Sequence, residues 1–301
     1  MRTICLPDVE AAERVGELPE GVRVLVWDAT GDPPLGIEDV EFFVGRYIGK
    51  PASADALARM PHLQVLQLVS AGVDAWLPAL PRGVTLCNGR GVHGASTAEL
   101  AVAGMLAVLR RIPDAVAAQR RHAWQPRAAD GLTGKHVLII GAGDIGRRIA
   151  AAISPFDAES TLMARSARSG VLAIDALHDQ LPLHEVVVLA VPHTPETHRL
   201  VDAEFLAAMR DGALLVNIAR GAVVDTDALV AELARGRIRA YLDVTDPEPL
   251  PADHPLWSAP NVLITPHVGG GTAGWQQRAY TLVREQVERF LRGEPLVNVV
   301  T

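Results

Sequence analysis

Cysteine is nearly missing from this chain, which holds only Cys5 and Cys87. Two are too few for a disulfide framework and neither stands at zinc-ligand spacing, so both read as small buried apolar residues. Long apolar runs are missing too: the most apolar stretch, residues 100–109, is too short to span a bilayer. At the amino terminus, acids arrive at Asp8 and Glu10 before a secretory-type apolar run can develop. There is no basic excess. Lys and Arg number 28 against 35 Asp and Glu, a net charge of −7, which argues against a nucleic-acid surface. No lysine cluster borders an amphipathic helix, so a membrane-surface role has no support. Without an H-E-x-x-H motif or a Cys/His cluster, no metal is expected. The absences together point to a cytoplasmic protein whose ligands are small molecules.

What is present is an ordinary globular composition, 49% apolar and 21% charged, over 301 residues, enough for two domains. Two alternating β/α series run through it. The first has apolar runs at 22–27, 42–44, 65–69 and 84–87. The second has six, at 137–140, 161–163, 186–191, 213–218, 238–242 and 262–265. Short apolar runs alternating with helical stretches mark parallel strands covered on both faces. Six such strands match a full dinucleotide-binding sheet. The expected fold class is α/β, with two doubly wound domains, Rossmann-like and flavodoxin-like, and a cleft between them.

Between the two series the pattern predicts a long helix, with Ser96 as N-cap, Glu99 completing a capping box, and an end near Arg111. Leu100, Val102, Met105, Leu106, Val108 and Leu109 make it apolar nearly all round, so it needs cover from a neighbouring domain or a second subunit. Residues 119–134, with Trp124, read as a loop or arm that adds to a dimer contact, and a homodimer is expected. The last helix follows the final strand and is expected to return to the first domain. This gives a discontinuous substrate-binding domain, 1–92 with 271–301, and a dinucleotide-binding domain, 93–270.

G-x-G-x-x-G occurs three times, at Gly89-Gly91-Gly94, Gly141-Gly143-Gly146 and Gly269-Gly271-Gly274. Only the middle one follows a strand, opens a helix at Asp144 and Ile145, and is closed by another strand within a βαβ unit. It alone can set a pyrophosphate on a helix N-terminus beside a parallel sheet. The other two read as domain crossings. An NAD-specific site would carry an acid about 20 residues further on, at the end of the second strand. Here Ala164 takes that place and Arg165, Ser166 and Arg168 follow. A carboxylate repels a 2′-phosphate, whereas guanidinium binds it through charge-assisted hydrogen bonds. NADP(H) is therefore favoured, with NAD(H) possible.

Three loops follow strands of the second domain. One carries Ala219-Arg220-Gly221, the next Asp243 and then Asp246-Pro247-Glu248-Pro249, and the last Thr265-Pro266-His267. An arginine, an acid and a histidine at neighbouring strand ends are the parts a keto-acid reductase needs. Arginine holds the substrate carboxylate and polarises the carbonyl, histidine donates a proton to the oxygen, and glutamate orients the ring and favours its charged form. Asp246 is the fallback carboxylate.

At these residues the sequence closely resembles the D-isomer-specific 2-hydroxyacid dehydrogenase family, over nearly the whole chain. The resemblance implies a carboxylate-binding loop at Ser70, Ala71 and Gly72, and a loop over the cofactor with Pro192 and Thr197. It sets Arg220, Glu248 and His267 on the catalytic triad and Asp243 on the residue that meets the nicotinamide amide. Ala219 and His267 also fall on the cofactor side. The implied activity is NADP-preferring reduction of a small 2-keto acid of the glyoxylate or hydroxypyruvate type. Two other readings stay open: an NAD(P)-sensing binding protein of corepressor type, and a formate- or phosphite-type dehydrogenase on the same fold.

Overall fold

In the computed structural model, which describes residues 1–47 and 51–300, the chain divides into Met1–His93 with Gly271–Thr301, and Gly94–Gly270. Both units are α/β and both sheets are parallel throughout. None of the helices among the described residues is long and apolar enough to cross a membrane.

The first unit holds β1 (Arg2–Leu6), β2 (Val22–Val26), β3 (Val40–Val44), β4 (Val65–Gln67) and β5 (Thr85–Cys87), in the order β2-β1-β3-β4-β5. That is the doubly wound order with its reversal between β1 and β3. β1 is absent from the four runs expected from the sequence. Four of its five residues are buried, but so short a run at the chain start lacks the flanking turn signals that identify a strand. Helix α1 (Val9–Val15) starts where the Asp8 carboxylate accepts the Ala11 amide at 2.7 Å, and α2 (Ala54–Ala58) is capped likewise by Ser53. The final helix, Trp275–Arg292, buries Ala279, Tyr280, Val283 and Val287 in one core with Ile4, Phe42 and Val44. Buried Gln286 on that helix donates to the Gln67 side chain on β4 at 2.8 Å, so no polar atom is left unpartnered there.

The second unit opens with α3 (Gly94–Leu109) and α4 (Ile112–Arg120). Its sheet contains β6 (His136–Ile140), β7 (Glu159–Ala164), β8 (Leu172–Ala173), β9 (Val186–Leu189), β10 (Leu214–Asn217), β11 (Arg239–Leu242) and β12 (Val262–Ile264). Helices α5 (Asp144–Ile153), α6 (Leu177–Gln180), α7 (Ala203–Ala208) and α8 (Thr226–Ala234) connect them. The order is β12-β11-β10-β9-β6-β7-β8, so the sheet reverses between β6 and β9. The two-residue β8 makes a seventh strand beyond the expected six, too short to leave a pattern. β6, β9 and β10 are buried on both faces, with Leu138, Val187 and Leu215 in one core and Val137, Val188 and Val216 in the other.

The expected start of α3 needs correction. Ser96 is not an N-cap: the helix begins two residues earlier, and Ser96 and Thr97 are buried inside its first turns. The start lies against α5. Gly94, which opens the helix, comes so close to α5 that a Cβ there would meet the Asp144 carboxylate, and the side chain would have to turn away. The helix also ends at Leu109, short of Arg111, whose left-handed backbone opens α4 instead. α3 is not covered all round. Ala98, Ala101, Met105 and Leu109 are buried, whereas Leu100, Val102, Leu106 and Val108 are only half-buried.

Candidate active site

The candidate residues of the second unit gather along the carboxyl edge of its sheet, where ligands of doubly wound folds bind. β10, β11 and β12 are adjacent and in register, with Asn217 opposite Leu242 and Leu242 opposite Ile264. The loops that follow these three strand ends carry Arg220, Glu248 and His267. Local bonds shape each loop. Buried Asn217 accepts the Ala219 amide at 3.0 Å and donates to the Arg220 carbonyl at 2.9 Å, folding the arginine turn. Gly221 is required because a Cβ there would strike the Thr245 carbonyl at 1.9 Å. The two loops therefore nest.

His267 Nδ1 lies 2.6 Å from Glu248 Oε1, with side chains 46% and 42% exposed. That hydrogen bond is the main reason the Glu248 carboxyl sits below its ordinary value; the nearby charges of His267 and Arg220 add to it against the opposing cost of burial. Glu248 is the carboxylate on the imidazole, and Asp246, the fallback, is not. Glu248 fixes Nδ1, leaving Nε2 as the nitrogen able to exchange a proton with a ligand. Asp243 is buried and takes three donors: the Thr265 hydroxyl at 2.6 Å and the amides of Val268 and Gly269 at 3.0 and 2.9 Å.

Further along the edge is the glycine fingerprint. Gly141 has φ +118°, and a Cβ there would meet the Ala190 carbonyl at 2.2 Å. At Gly146 a Cβ would lie 1.9 Å from the Gly141 carbonyl, so this glycine lets helix and turn touch. Gly143 differs, since nothing lies within 4 Å of where its Cβ would be. It heads α5 as an N-cap without a side chain, and the amides of Asp144 and Ile145 belong to the uncapped first turn. Open space in front of donor amides at the switch point between β6 and β9 fits a dinucleotide pyrophosphate. Asp144 itself is turned to Arg148, at 2.9 Å.

Arg165, Ser166 and Arg168 are exposed on the loop after β7. The Arg168 guanidinium donates to the Ala142 carbonyl at 3.2 Å, which draws it onto the fingerprint turn, and the Glu196 carboxyl is lowered chiefly by the Thr194 hydroxyl, with a small addition from Arg165. Pro192 and Thr197 share the loop after β9, where the Thr197 hydroxyl donates to the Pro192 carbonyl at 2.7 Å. Ser70, Ala71 and Gly72 belong to the first unit, on the loop after β4. There the Ser70 hydroxyl donates to the Gly72 carbonyl at 3.0 Å, and Asn88 donates to the Ala71 carbonyl at 2.9 Å.

Sequence reading gave Asn217 no role, and likewise none to Thr265 or Tyr241, whose hydroxyls lie 2.9 Å apart. A buried amide at a strand end was a usable signal for the first. The other two act across strands, and no local pattern marks them. In the first unit an aromatic cluster forms, where Tyr47 stacks on His93 with centroids 4.7 Å apart and meets Trp275 at 4.3 Å.

Comparison with known proteins agrees with this architecture. Residues 102–269 match the family model described as D-isomer specific 2-hydroxyacid dehydrogenase, NAD binding domain. The chain is 34% identical over 275 residues to D-3-phosphoglycerate dehydrogenase of Methanocaldococcus jannaschii, covering 88% of this chain and 52% of that protein. It thus spans about half the length of the D-3-phosphoglycerate dehydrogenases it matches. To human glyoxylate reductase/hydroxypyruvate reductase it is 34% identical over 249 residues, 78% of this chain and 76% of that one. Among solved structures, a D-isomer specific 2-hydroxyacid dehydrogenase from Xanthobacter autotrophicus Py2 in complex with NADPH and MES superposes with a TM-score of 0.84. It has 30% identity and covers 99% of this chain and 98% of that one. The protein belongs to the D-isomer-specific 2-hydroxyacid dehydrogenase family.

Proposed function

We propose that the protein reduces a small 2-keto acid of the glyoxylate or hydroxypyruvate type, preferring NADPH. The 2.6 Å contact between His267 and Glu248, on strand ends adjacent to that of Arg220, carries this reading. Arg220 binds the substrate carboxylate and polarises the carbonyl, and the Ser70–Ala71–Gly72 loop has a carboxylate-binding role. His267 delivers the proton from Nε2 to the carbonyl oxygen while Glu248 holds Nδ1 and stabilises the imidazolium. A bound nicotinamide supplies the hydride to the carbonyl carbon. Gly143 and the amides of Asp144 and Ile145 receive the pyrophosphate, and Asp243 faces the nicotinamide amide. Arg165, Ser166 and Arg168 bind the 2′-phosphate, with Ala164 offering no carboxylate to repel it. Consumption of NADPH with glyoxylate, hydroxypyruvate, pyruvate or phenylpyruvate tests the reading. No turnover with any of them, but activity with formate or phosphite, would replace it.

The protein also forms a homodimer in this reading. α3 keeps Leu100, Val102, Leu106 and Val108 only half-buried, while Ile112, Val116 and Trp124 are 49%, 43% and 97% exposed. So much apolar surface on one stretch of chain fits a subunit contact. Light scattering should give twice the chain mass, and a stable monomer at micromolar concentration would exclude it.

A further inference from the structure

The proton-donating loop is held by a chain of hydroxyls that begins deep in the second unit. Tyr241 on β11 is completely buried, and its ring fills the space left by Gly104 of α3, where a Cβ would come within 2.1 Å of it. Its hydroxyl lies 2.9 Å from Thr265 Oγ1, which is 2.6 Å from Asp243 Oδ1. The direction of these bonds follows from the donor inventory. A carboxylate only accepts, so the single Thr265 proton goes to Asp243, and Tyr241 must donate to Thr265. Burial pushes the Tyr241 phenol up to about 12, so it keeps the proton this requires.

At the far end, Asp243 grips the backbone on both sides of the histidine. Its carbonyl accepts the His267 amide at 2.7 Å, and its carboxylate accepts the amides of Val268 and Gly269. His267 needs such a grip, because its φ is +53°, a left-handed conformation that non-glycine residues seldom adopt.

We infer that Tyr241 and Thr265 are positioning residues: the relay Tyr241–Thr265–Asp243 locks the backbone of His267 and thereby aims its ring at Glu248. The consequence for turnover rests on His267 being the proton donor, as proposed above. The geometric consequence, the strength of the His267–Glu248 bond, does not.

The test uses Thr265→Val, which keeps shape and loses the hydroxyl, Thr265→Ser, which restores it, and Tyr241→Phe. The Glu248 carboxyl is followed by carbon-13 NMR through a pH titration of the cofactor-free protein. His267 and Arg220 are the charged groups that hold it below the ordinary range. Thr265→Val should raise the Glu248 titration toward the ordinary carboxylate value, with Thr265→Ser returning it and Tyr241→Phe falling between. With keto acid and NADPH, kcat should fall about tenfold in Thr265→Val and about threefold in Tyr241→Phe, in line with single buried hydrogen bonds, while keto-acid KM stays within about twofold. An unmoved Glu248 titration in Thr265→Val, or equal effects of valine and serine, overturns the relay. If His267→Ala leaves turnover intact, the functional reading fails instead, and the NMR titration still decides the relay.

Discussion

The carboxyl edge of the seven-stranded sheet is built in opposite ways at its two regions. Beyond β10, β11 and β12, buried and paired side chains hold the loops: Asn217 folds the Arg220 turn, Asp243 takes three donors, and Glu248 fixes His267. Beyond β7, Arg165 and Arg168 are exposed, and the Arg168 guanidinium reaches only a backbone carbonyl at 3.2 Å. The difference follows from what each task tolerates. Proton transfer needs a donor within about 2.6–3.2 Å of its target. Attraction between a guanidinium and a phosphate falls only as the inverse of distance, so approximate placement suffices until the ligand completes the geometry.

Substitutions can break this contrast. His267→Ala should cause the largest loss, about 10²–10⁴-fold in kcat for keto-acid reduction at every pH, with NADPH binding retained by fluorescence titration. Near-parental turnover would show that the ordered corner is not the site of chemistry. Arg220→Lys keeps the charge but loses the planar fork, and a loss of about 10²-fold in kcat/KM is expected. A lysine variant as active as the parent would mean that charge alone suffices there, as it is argued to do at the other region.

Arg165→Ala combined with Arg168→Ala should weaken NADPH by about 10- to 100-fold and leave NADH little changed, since each pairing is worth about 1.5–3 kcal/mol at most and is screened when exposed. Equal losses for both cofactors, read as KM values, would remove the 2′-phosphate assignment.

Glu248→Gln should have the smallest effect at its best pH and the most informative profile. The parent Glu248 carboxyl is depressed, so its stabilising pair with His267 is complete above the ordinary value of 4.5 and disappears as pH falls through the lower folded value. The amide cannot titrate, so the variant should lack the change that the parent shows at the acid end of its profile, where Glu248 takes up its proton. A superimposable kcat profile would show that Glu248 orients the ring without tuning its charge.

How much of this was legible in sequence depended on the range of the interaction. The turn at Gly141–Gly146 was readable because a strand, a tight turn and a helix start lie within a few residues of one another. The placement of Arg220, Glu248 and His267 on strand-end loops was readable because each follows a short apolar run within a few residues, although nothing local brings the three runs side by side. Ser96 and Glu99 form a plausible capping box, yet α3 starts at Gly94, and Ser96 is buried inside the helix beside α5.

By itself, then, the sequence determined the α/β alternation, the dinucleotide turn and the residue types at the strand ends, since apolar periodicity and glycine requirements act over one or two elements. Tertiary structure decided which groups touch. It selected Glu248 over Asp246 as the partner of His267, assigned Asn217 to the arginine turn, and joined Tyr241, Thr265 and Asp243 across neighbouring strands. Hydrogen bonds are directional and extend only about 3 Å, so they exist once strand order and register are set and not before.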